Sequence, residues 1–443
     1  MADEKSGQAK FSIFTLGCKV NQYESDRLAQ DLVARGLHPA EEGEAAGLVI
    51  VNTCTVTGRA AQQSRQAVRA ELRKNPGAVA LVSGCDAATE PGSFSSIPGV
   101  AGVLGNADKA RAADLALRAL GLPFEASPDA YSHPDFAERR SPVLGKRSRP
   151  FLKIQDGCNS RCTYCAVPGA RGRSRSMDAG EVLRHLSAIA AAGYAEVVLT
   201  GVHLGDFGRD RENDGGLAGL LARAAVLPAA PRIRLSSLEP NDLGPEVLSL
   251  FASGPFLRPH LHLPLQSGSD PILRRMNRPY SAAFFRDLVL AVREKLPLAA
   301  IGVDVMVGFP GETEEHFSQT LALLCELPVS YLHVFPYSPR RGTPAASFPG
   351  RPESAEQGRR ASALRKLSRQ KRAAFGRDMA GRILDAVVEG PAPEQPGLFR
   401  GTCENYIPVL FSSEHFLRSG SSVMVRILDA ERQGFARALL ASG

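Results

Sequence analysis

No stretch of this sequence approaches the roughly 18 uncharged apolar residues that a membrane-crossing helix needs. Residues 1–10 are polar and lack the apolar centre of a secretory leader, so a cytoplasmic protein with no membrane partner is expected. Disulfides do not persist in that reducing compartment, and the eight cysteines therefore read as metal ligands or small buried hydrophobes. The glycine-bearing turn at 308–311 lacks the Gly-Lys-Ser/Thr ending of a phosphate loop, which excludes that role. Acids are missing from one place: between Gly358 and Arg377 there are eight Lys or Arg and no Asp or Glu. Bulk charge is mild, 53 basic against 46 acidic residues for a net +7, so its distribution matters more than its size.

What is present is more specific. Cys158, Cys162 and Cys165 form a C-x3-C-x2-C triplet in a glycine-bearing loop, with no fourth ligand nearby to complete a tetrahedral zinc site. Three thiolates suit a 4Fe-4S cluster whose fourth iron stays open to a small molecule. Three further cysteines stand apart in sequence, yet each follows a short apolar run: Thr-Leu-Gly-Cys18, Val-Asn-Thr-Cys54 and Val-Ser-Gly-Cys85. Those runs, 11–16, 48–52 and 79–83, alternate with helical stretches 24–35 and 58–74, the pattern of a doubly wound parallel sheet. Strand ends of such a sheet share one edge, so Cys18, Cys54 and Cys85 are expected to converge into a second three-thiolate set.

Downstream, the chain at 126–150 dissolves into Pro, Ser and charge and reads as a linker. Six candidate strands follow, 151–155, 196–200, 232–236, 261–265, 301–307 and 331–335, separated by helical runs such as 178–192 and 281–295. This is the alternation of a partial (βα)6 barrel, whose active face is built at the carboxyl ends of the strands. The basic run then lies on a helix at about 354–379, where it reads as phosphate-facing. Four β-like runs, 383–388, 397–402, 407–411 and 422–427, suggest a small terminal β-barrel. The expected organisation is an α/β protein: an N-terminal domain at 1–130, a linker at 131–149, a barrel domain at 150–376 and a small β-barrel at 377–443.

The runs Thr15-Leu-Gly-Cys-Lys-Val-Asn-Gln-Tyr-Glu-Ser25, Val51-Asn-Thr-Cys-Thr-Val-Thr57, the cysteine loop with Arg171-Gly-Arg-Ser-Arg-Ser176, His262-Leu-Pro-Leu-Gln-Ser-Gly-Ser269, Val305-Met-Val-Gly-Phe-Pro-Gly-Glu-Thr313 and His333-Val-Phe-Pro-Tyr-Ser338 together resemble the methylthiotransferases of the radical S-adenosylmethionine superfamily. The resemblance implies two 4Fe-4S clusters, S-adenosylmethionine, an electron-donor protein, and a C-terminal TRAM domain that grips RNA. It implies Cys158, Cys162 and Cys165 as ligands of the radical cluster and Cys18, Cys54 and Cys85 as ligands of an auxiliary one. The wording around Cys18 and Cys54 is most similar to the branch acting on threonylcarbamoyladenosine 37 in the tRNA anticodon loop. Other branches act on isopentenyladenosine 37 or on an aspartate of a ribosomal protein. Asp86 and Gly169 stand where relatives often have tyrosine.

For S-adenosylmethionine, strand-end position and the same analogy nominate Tyr164, Thr200, Gly201, Ser236, Ser237, Glu239 and Gln266. Arg171, Arg173 and Arg175 are candidates for substrate phosphates or the cofactor carboxylate, whereas His260, His262, Cys325 and Cys403 read as structural. A monomer is expected. The rival from another class is a zinc-bound RNA-binding protein without catalysis.

Overall fold

The computed structural model describes residues 9–123, 147–212, 215–429 and 434–441. Most of the expected linker, 131–146, lies outside them. Two compact units divide the chain, one made of residues 1–143, 155–177 and 338–346, the other of 144–154, 178–337 and 347–443.

The first unit is built on five parallel strands: β1 (Lys10–Thr15), β2 (His38–Pro39), β3 (Leu48–Thr53), β4 (Val79–Gly84) and β5 (Val100–Val103), in the order β2-β1-β3-β4-β5. Every residue of β3 is buried, because helices cover both faces of the sheet. Its side chains alternate between two cores: Leu48 and Ile50 pack with Phe11, Leu32 and Leu117, while Val49 and Val51 pack with Val68, Ala80 and Phe94. The helix Lys19–Val33 begins directly after Cys18, and the helix Gly58–Lys74 is capped by the Thr57 hydroxyl, which accepts from Ala60 N at 3.1 Å. In the same unit a two-strand ribbon, β7 (Gln155–Asp156) with β8 (Arg175–Ser176), closes the base of the Cys158–Cys165 loop.

The second unit carries six parallel strands, β6 (Phe151–Lys153), β9 (Glu196–Thr200), β10 (Arg232–Leu235), β11 (His260–Gln266), β12 (Ala300–Val307) and β13 (Tyr331–Pro336). They form two three-stranded sheets, β10-β9-β6 and β11-β12-β13. A bridge between Ile233 and Leu257 and a 3.0 Å bond from Leu238 N to His262 O join the two, giving an open row of six. Helices Ala179–Ala191, Gly216–Ala225, Pro245–Ala252, Ala282–Lys295 and Glu314–Glu326 lie between the strands in sequence. This is the expected partial barrel.

After the helix Ser354–Asp378 the chain closes a five-stranded barrel from β14 (Ile383–Pro391), β15 (Leu398–Cys403), β16 (Pro408–Ser412), β17 (Ser422–Ile427) and β18 (Ala436–Leu440), around Leu384, Val388, Cys403, Phe411 and Val425. Cys403 is thus the core residue expected of it. Cys325 is not: it is exposed on the last turn of Glu314–Glu326.

A buried ion cluster ties the small barrel to the six-strand row. Glu196 accepts from Arg234 Nε at 2.7 Å and Arg258 Nε at 2.7 Å, and Arg258 Nη1 reaches Asp385 of β14 at 2.7 Å. Arg234 also donates to the carbonyls of Glu404 and Cys403 at 3.0 and 3.2 Å.

The basic helix is less free than its sequence suggests. Arg360 is buried against Glu312 at 2.8 Å, Arg359 pairs with Glu314 and Glu356, and Lys371 donates to the Leu327 carbonyl at 2.7 Å. Glu312 and Glu314, distant in sequence, and Glu356, just before the run, supply the partners that it lacks. Arg365, Lys366 and Arg369 remain exposed, with no ion pair among the described residues.

Candidate functional site

Cys54 and Cys85 immediately follow β3 and β4, and Cys18 follows β1 by three residues, one more than the sequence spacing predicts, because Gly17 adds a turn at φ +95°. A β-carbon on Gly17 would stand 2.8 Å from Cys54 Sγ, so only glycine lets the first cysteine turn approach the second. Gly84 is equally constrained, at φ +103° with Thr53 O only 2.3 Å from where a β-carbon would sit. The three cysteines converge: burial, followed by charge on Cys18, Cys85 and Asp86, pushes the Cys54 thiol up to about 11. Cys54 and Cys85 are buried and Cys18 is exposed beside them; three thiols gathered this way ionise together only with a cation to balance them, and an iron-sulfur cluster supplies that charge. The donor set fits such a group.

The second set lies on the loop between β7 and β8. Gly157, at φ +73° with Arg173 O 2.0 Å from a hypothetical β-carbon, sets the turn into Cys158. Cys158 N donates to Gly172 O at 3.1 Å, Ser160 N approaches Cys158 Sγ at 3.4 Å, and Cys165 N closes on Cys162 O at 3.1 Å. All three thiols are half-buried, and three thiols with a backbone N–H group turned toward sulfur again fit a cluster better than a four-ligand zinc. Tyr164 is half-buried on this loop.

A cavity of about 730 Å³ opens in this unit, bordered by Cys165, Gly169, Thr55, Ala88, Arg340 and Arg341. Thr55 adjoins Cys54 and Ala88 follows Cys85 closely, so sequence neighbours of the first cysteine set share one wall with Cys165 of the second. Asp86 is fully buried, raised from the ordinary carboxyl range by burial and held down by Arg340 and Arg65. Arg340 bonds both Asp86, at 3.2 Å, and the Thr55 hydroxyl. Arg341 is exposed and has no ion pair among the described residues.

Arg171 corrects an expectation. Proposed from sequence to meet a phosphate or a cofactor carboxylate, it is instead buried and saturated: Nη1 bonds Glu24 at 2.8 Å and Asp156 at 2.9 Å, Nη2 bonds Asn21 at 2.7 Å, and Nε points at Cys85 Sγ, 3.2 Å away. Two carboxylates draw the guanidinium inward. Arg175 takes the other Asp156 oxygen at 3.8 Å, and Arg173 is exposed.

In the second unit the other nominated residues gather along one edge. Thr200 ends β9 with Gly201 next, Ser236 and Ser237 follow β10, and Gln266 ends β11 at φ +67° beside a register shift. Ser236 Oγ is enclosed with no hydrogen-bond partner among the described residues, an acceptor and donor open to a ligand hydroxyl. Glu239 is paired with Arg278, and Ser237 Oγ lies 2.7 Å from His262 Nδ1.

Sequence reading gave no role to Asp304 and His333, yet Asp304 stands 3.0 Å from His262 and 3.4 Å from His333 on adjacent strands. Burial would raise the Asp304 carboxyl, but the two adjacent histidines hold it down at about 2. Asn21, Glu24 and Arg340 were also without a role. The first two lie inside the Cys18 motif run, which was the available signal; Arg340 had none.

Residues 152–324 match the Radical SAM superfamily, and residues 10–105 match the Uncharacterized protein family UPF0004. The chain is 36% identical over 427 residues to the threonylcarbamoyladenosine tRNA methylthiotransferase MtaB of Bacillus subtilis, covering 95% of this chain and 94% of that one. It belongs to the radical SAM methylthiotransferases. Membership brings a 4Fe-4S cluster and S-adenosylmethionine. Another methylthiotransferase relative, the tRNA-2-methylthio-N(6)-dimethylallyladenosine synthase of Nitratidesulfovibrio vulgaris (strain Hildenborough), is 37% identical over 87% of each chain. Among solved structures, the radical S-adenosylmethionine methyltransferase TsrM of Kitasatospora setae matches with a TM-score of 0.55 over 76% of this chain and 77% of that one, at 17% identity, a likeness of fold alone. No helix among the described residues is long and apolar enough to cross a membrane.

Proposed function

We propose that the protein inserts a methylthio group at C2 of N6-threonylcarbamoyladenosine 37 of tRNA. The observation that carries this reading is the cavity of about 730 Å³ whose wall includes Cys165 and the neighbours of Cys54 and Cys85. A base seated there lies beside Cys165 and beside the neighbours of Cys54 and Cys85. In this reading Cys158, Cys162 and Cys165 hold one 4Fe-4S cluster and Cys18, Cys54 and Cys85 a second, and with S-adenosylmethionine these groups supply the radical that removes an unactivated C–H hydrogen and the methylthio group that replaces it.

The chain's own part is to bind, orient and exclude. Thr200, Gly201, Ser236, Ser237, Glu239 and Gln266 line the strand-end edge assigned to S-adenosylmethionine, where the open Ser236 hydroxyl suits a ribose oxygen. Tyr164 is assigned to its adenine. Arg341, exposed on the cavity wall, suits the carboxylate of the threonyl group, which the uncharged isopentenyl group lacks. Exposed Arg365, Lys366 and Arg369, with the terminal barrel, are assigned to tRNA phosphates. The enzyme works as a cytoplasmic monomer that takes electrons from a donor protein.

The likeness to a dimethylallyladenosine synthase favours one second reading, isopentenyladenosine 37. Nucleoside mass spectrometry of tRNA from cells with and without the gene separates the two. The 2-methylthio form of threonylcarbamoyladenosine is expected to vanish on deletion. Its persistence with loss of the isopentenyl product would move the assignment to the second reading. Arg341→Glu is expected to lower turnover on threonylcarbamoyl tRNA severalfold while leaving cluster content unchanged.

A further inference from the structure

Arg171 engages every one of its side-chain nitrogens, both terminal ones on Glu24. Its Nε proton has Cys85 Sγ as partner at 3.2 Å, while its terminal nitrogens bond Glu24, Asp156 and Asn21. The side chain is 1% exposed. Lys109, half-buried, pairs with Glu24, and Arg175 approaches Asp156, so three cations share two carboxylates. Of these cations Arg171 is the one that aims an N–H at the Cys85 sulfur. Asn106 Nδ2, 3.7 Å from the same sulfur, is turned toward the Ala170 carbonyl at 2.8 Å and makes the weaker interaction.

We propose that Arg171 sets the reduction potential of the cluster held by Cys18, Cys54 and Cys85, by donating a hydrogen bond to the Cys85 thiolate. This rests on the assignment of those cysteines to a second cluster. A one-electron reduction adds negative charge to the cluster and its sulfurs, and a donor at a ligand sulfur stabilises the reduced form more than the oxidised one, raising the potential. The chemistry requires arginine. Lysine carries the charge but cannot hold both carboxylates, Asn21 and the sulfur with a rigid fork. Arg171 is a positioning residue with a second effect, since Asp156, which it also grips, accepts from Gly157 N at 2.8 Å at the entrance to the other cysteine loop.

The test uses the full chain with Cys158, Cys162 and Cys165 replaced by alanine, so that one cluster remains, poised electrochemically and read by electron paramagnetic resonance. Arg171→Lys and Arg171→Gln are expected to lower the ratio of reduced to oxidised cluster about tenfold at a fixed potential, equivalent to ~59 mV for one electron. An unchanged potential in a variant with full iron overturns the proposal. The wild-type chain provides a measurement that does not depend on a variant folding. With 15N-arginine labelling, pulsed resonance of the reduced cluster should show one 15N hyperfine coupling, and its absence overturns the proposal equally. Failure of the parent triple variant to bind any iron would instead refute the second cluster itself, a distinguishable outcome.

Discussion

Single residues decide how closely the cysteine turns approach one another. Replacing Gly17 by alanine puts a β-carbon 2.8 Å from Cys54 Sγ at a φ of +95°. The expected cost is about 1–3 kcal/mol of stability, with a disproportionate loss of iron, checked by thermal melting beside iron assay. Asp304 offers a different reading. Its carboxyl lies at about 2 in the folded chain against an ordinary 3.8, so its contribution is present above pH 4 and lost as the pH falls toward 2. That contribution is worth about 2 kcal/mol. Denaturant melts across this window should show wild type losing stability that Asp304→Asn lacks throughout; parallel curves would refute the histidine-paired carboxylate. The cysteines themselves were legible in sequence because a thiol after each strand is a local pattern. Arg340 and the inward turn of Arg171 were not, since their partners Asp86, Thr55, Glu24 and Asp156 are brought to them only by the fold.

At the scale of elements, hydrophobic period served well where it was strong. The run 196–200 is β9, and 301–307 lies within β12, because apolar β-branched residues buried on both faces leave little choice of state. The short edge strands β2 and β5 and the last strand β18 escaped. Ala436–Leu440 reads as helix by propensity, and its pairing with β17 and β16 overrides that preference. The helix Ser354–Asp378 shows the same limit for charge. Its eight cations looked equivalent, but Arg360 answers Glu312 and is structural. Reversing the exposed three, as Arg365→Glu, Lys366→Glu and Arg369→Glu, should weaken tRNA binding on the order of tenfold near 0.1 M salt and flatten its salt dependence by about one unit of slope for each phosphate no longer neutralised. Thermal stability should hold. Arg360→Ala should do the opposite, costing about 3–5 kcal/mol by stranding Glu312.

For the whole molecule, the ion cluster at Glu196 governs how removal of the terminal barrel must be interpreted. Arg234 and Arg258 are each no more than 2% exposed and depend on Glu196, on Asp385 of β14 and on the carbonyls of Cys403 and Glu404. Deleting the chain after Asp378 removes every one of these partners except Glu196, leaving two guanidinium groups to share a single carboxylate. Truncation should therefore weaken tRNA binding and also destabilise the six-strand row by a few kcal/mol. The two effects are separable. Glu196→Ala keeps the terminal barrel and strips the shared partner, so it should cost about 3–5 kcal/mol in the central strands while the salt-dependent part of tRNA binding survives below the melting temperature. Calorimetry paired with binding isotherms at several salt concentrations reads both. If Glu196→Ala abolished binding at a temperature where circular dichroism still showed a folded chain, the barrel's contribution to RNA affinity would have to pass through this ion cluster rather than through its own surface.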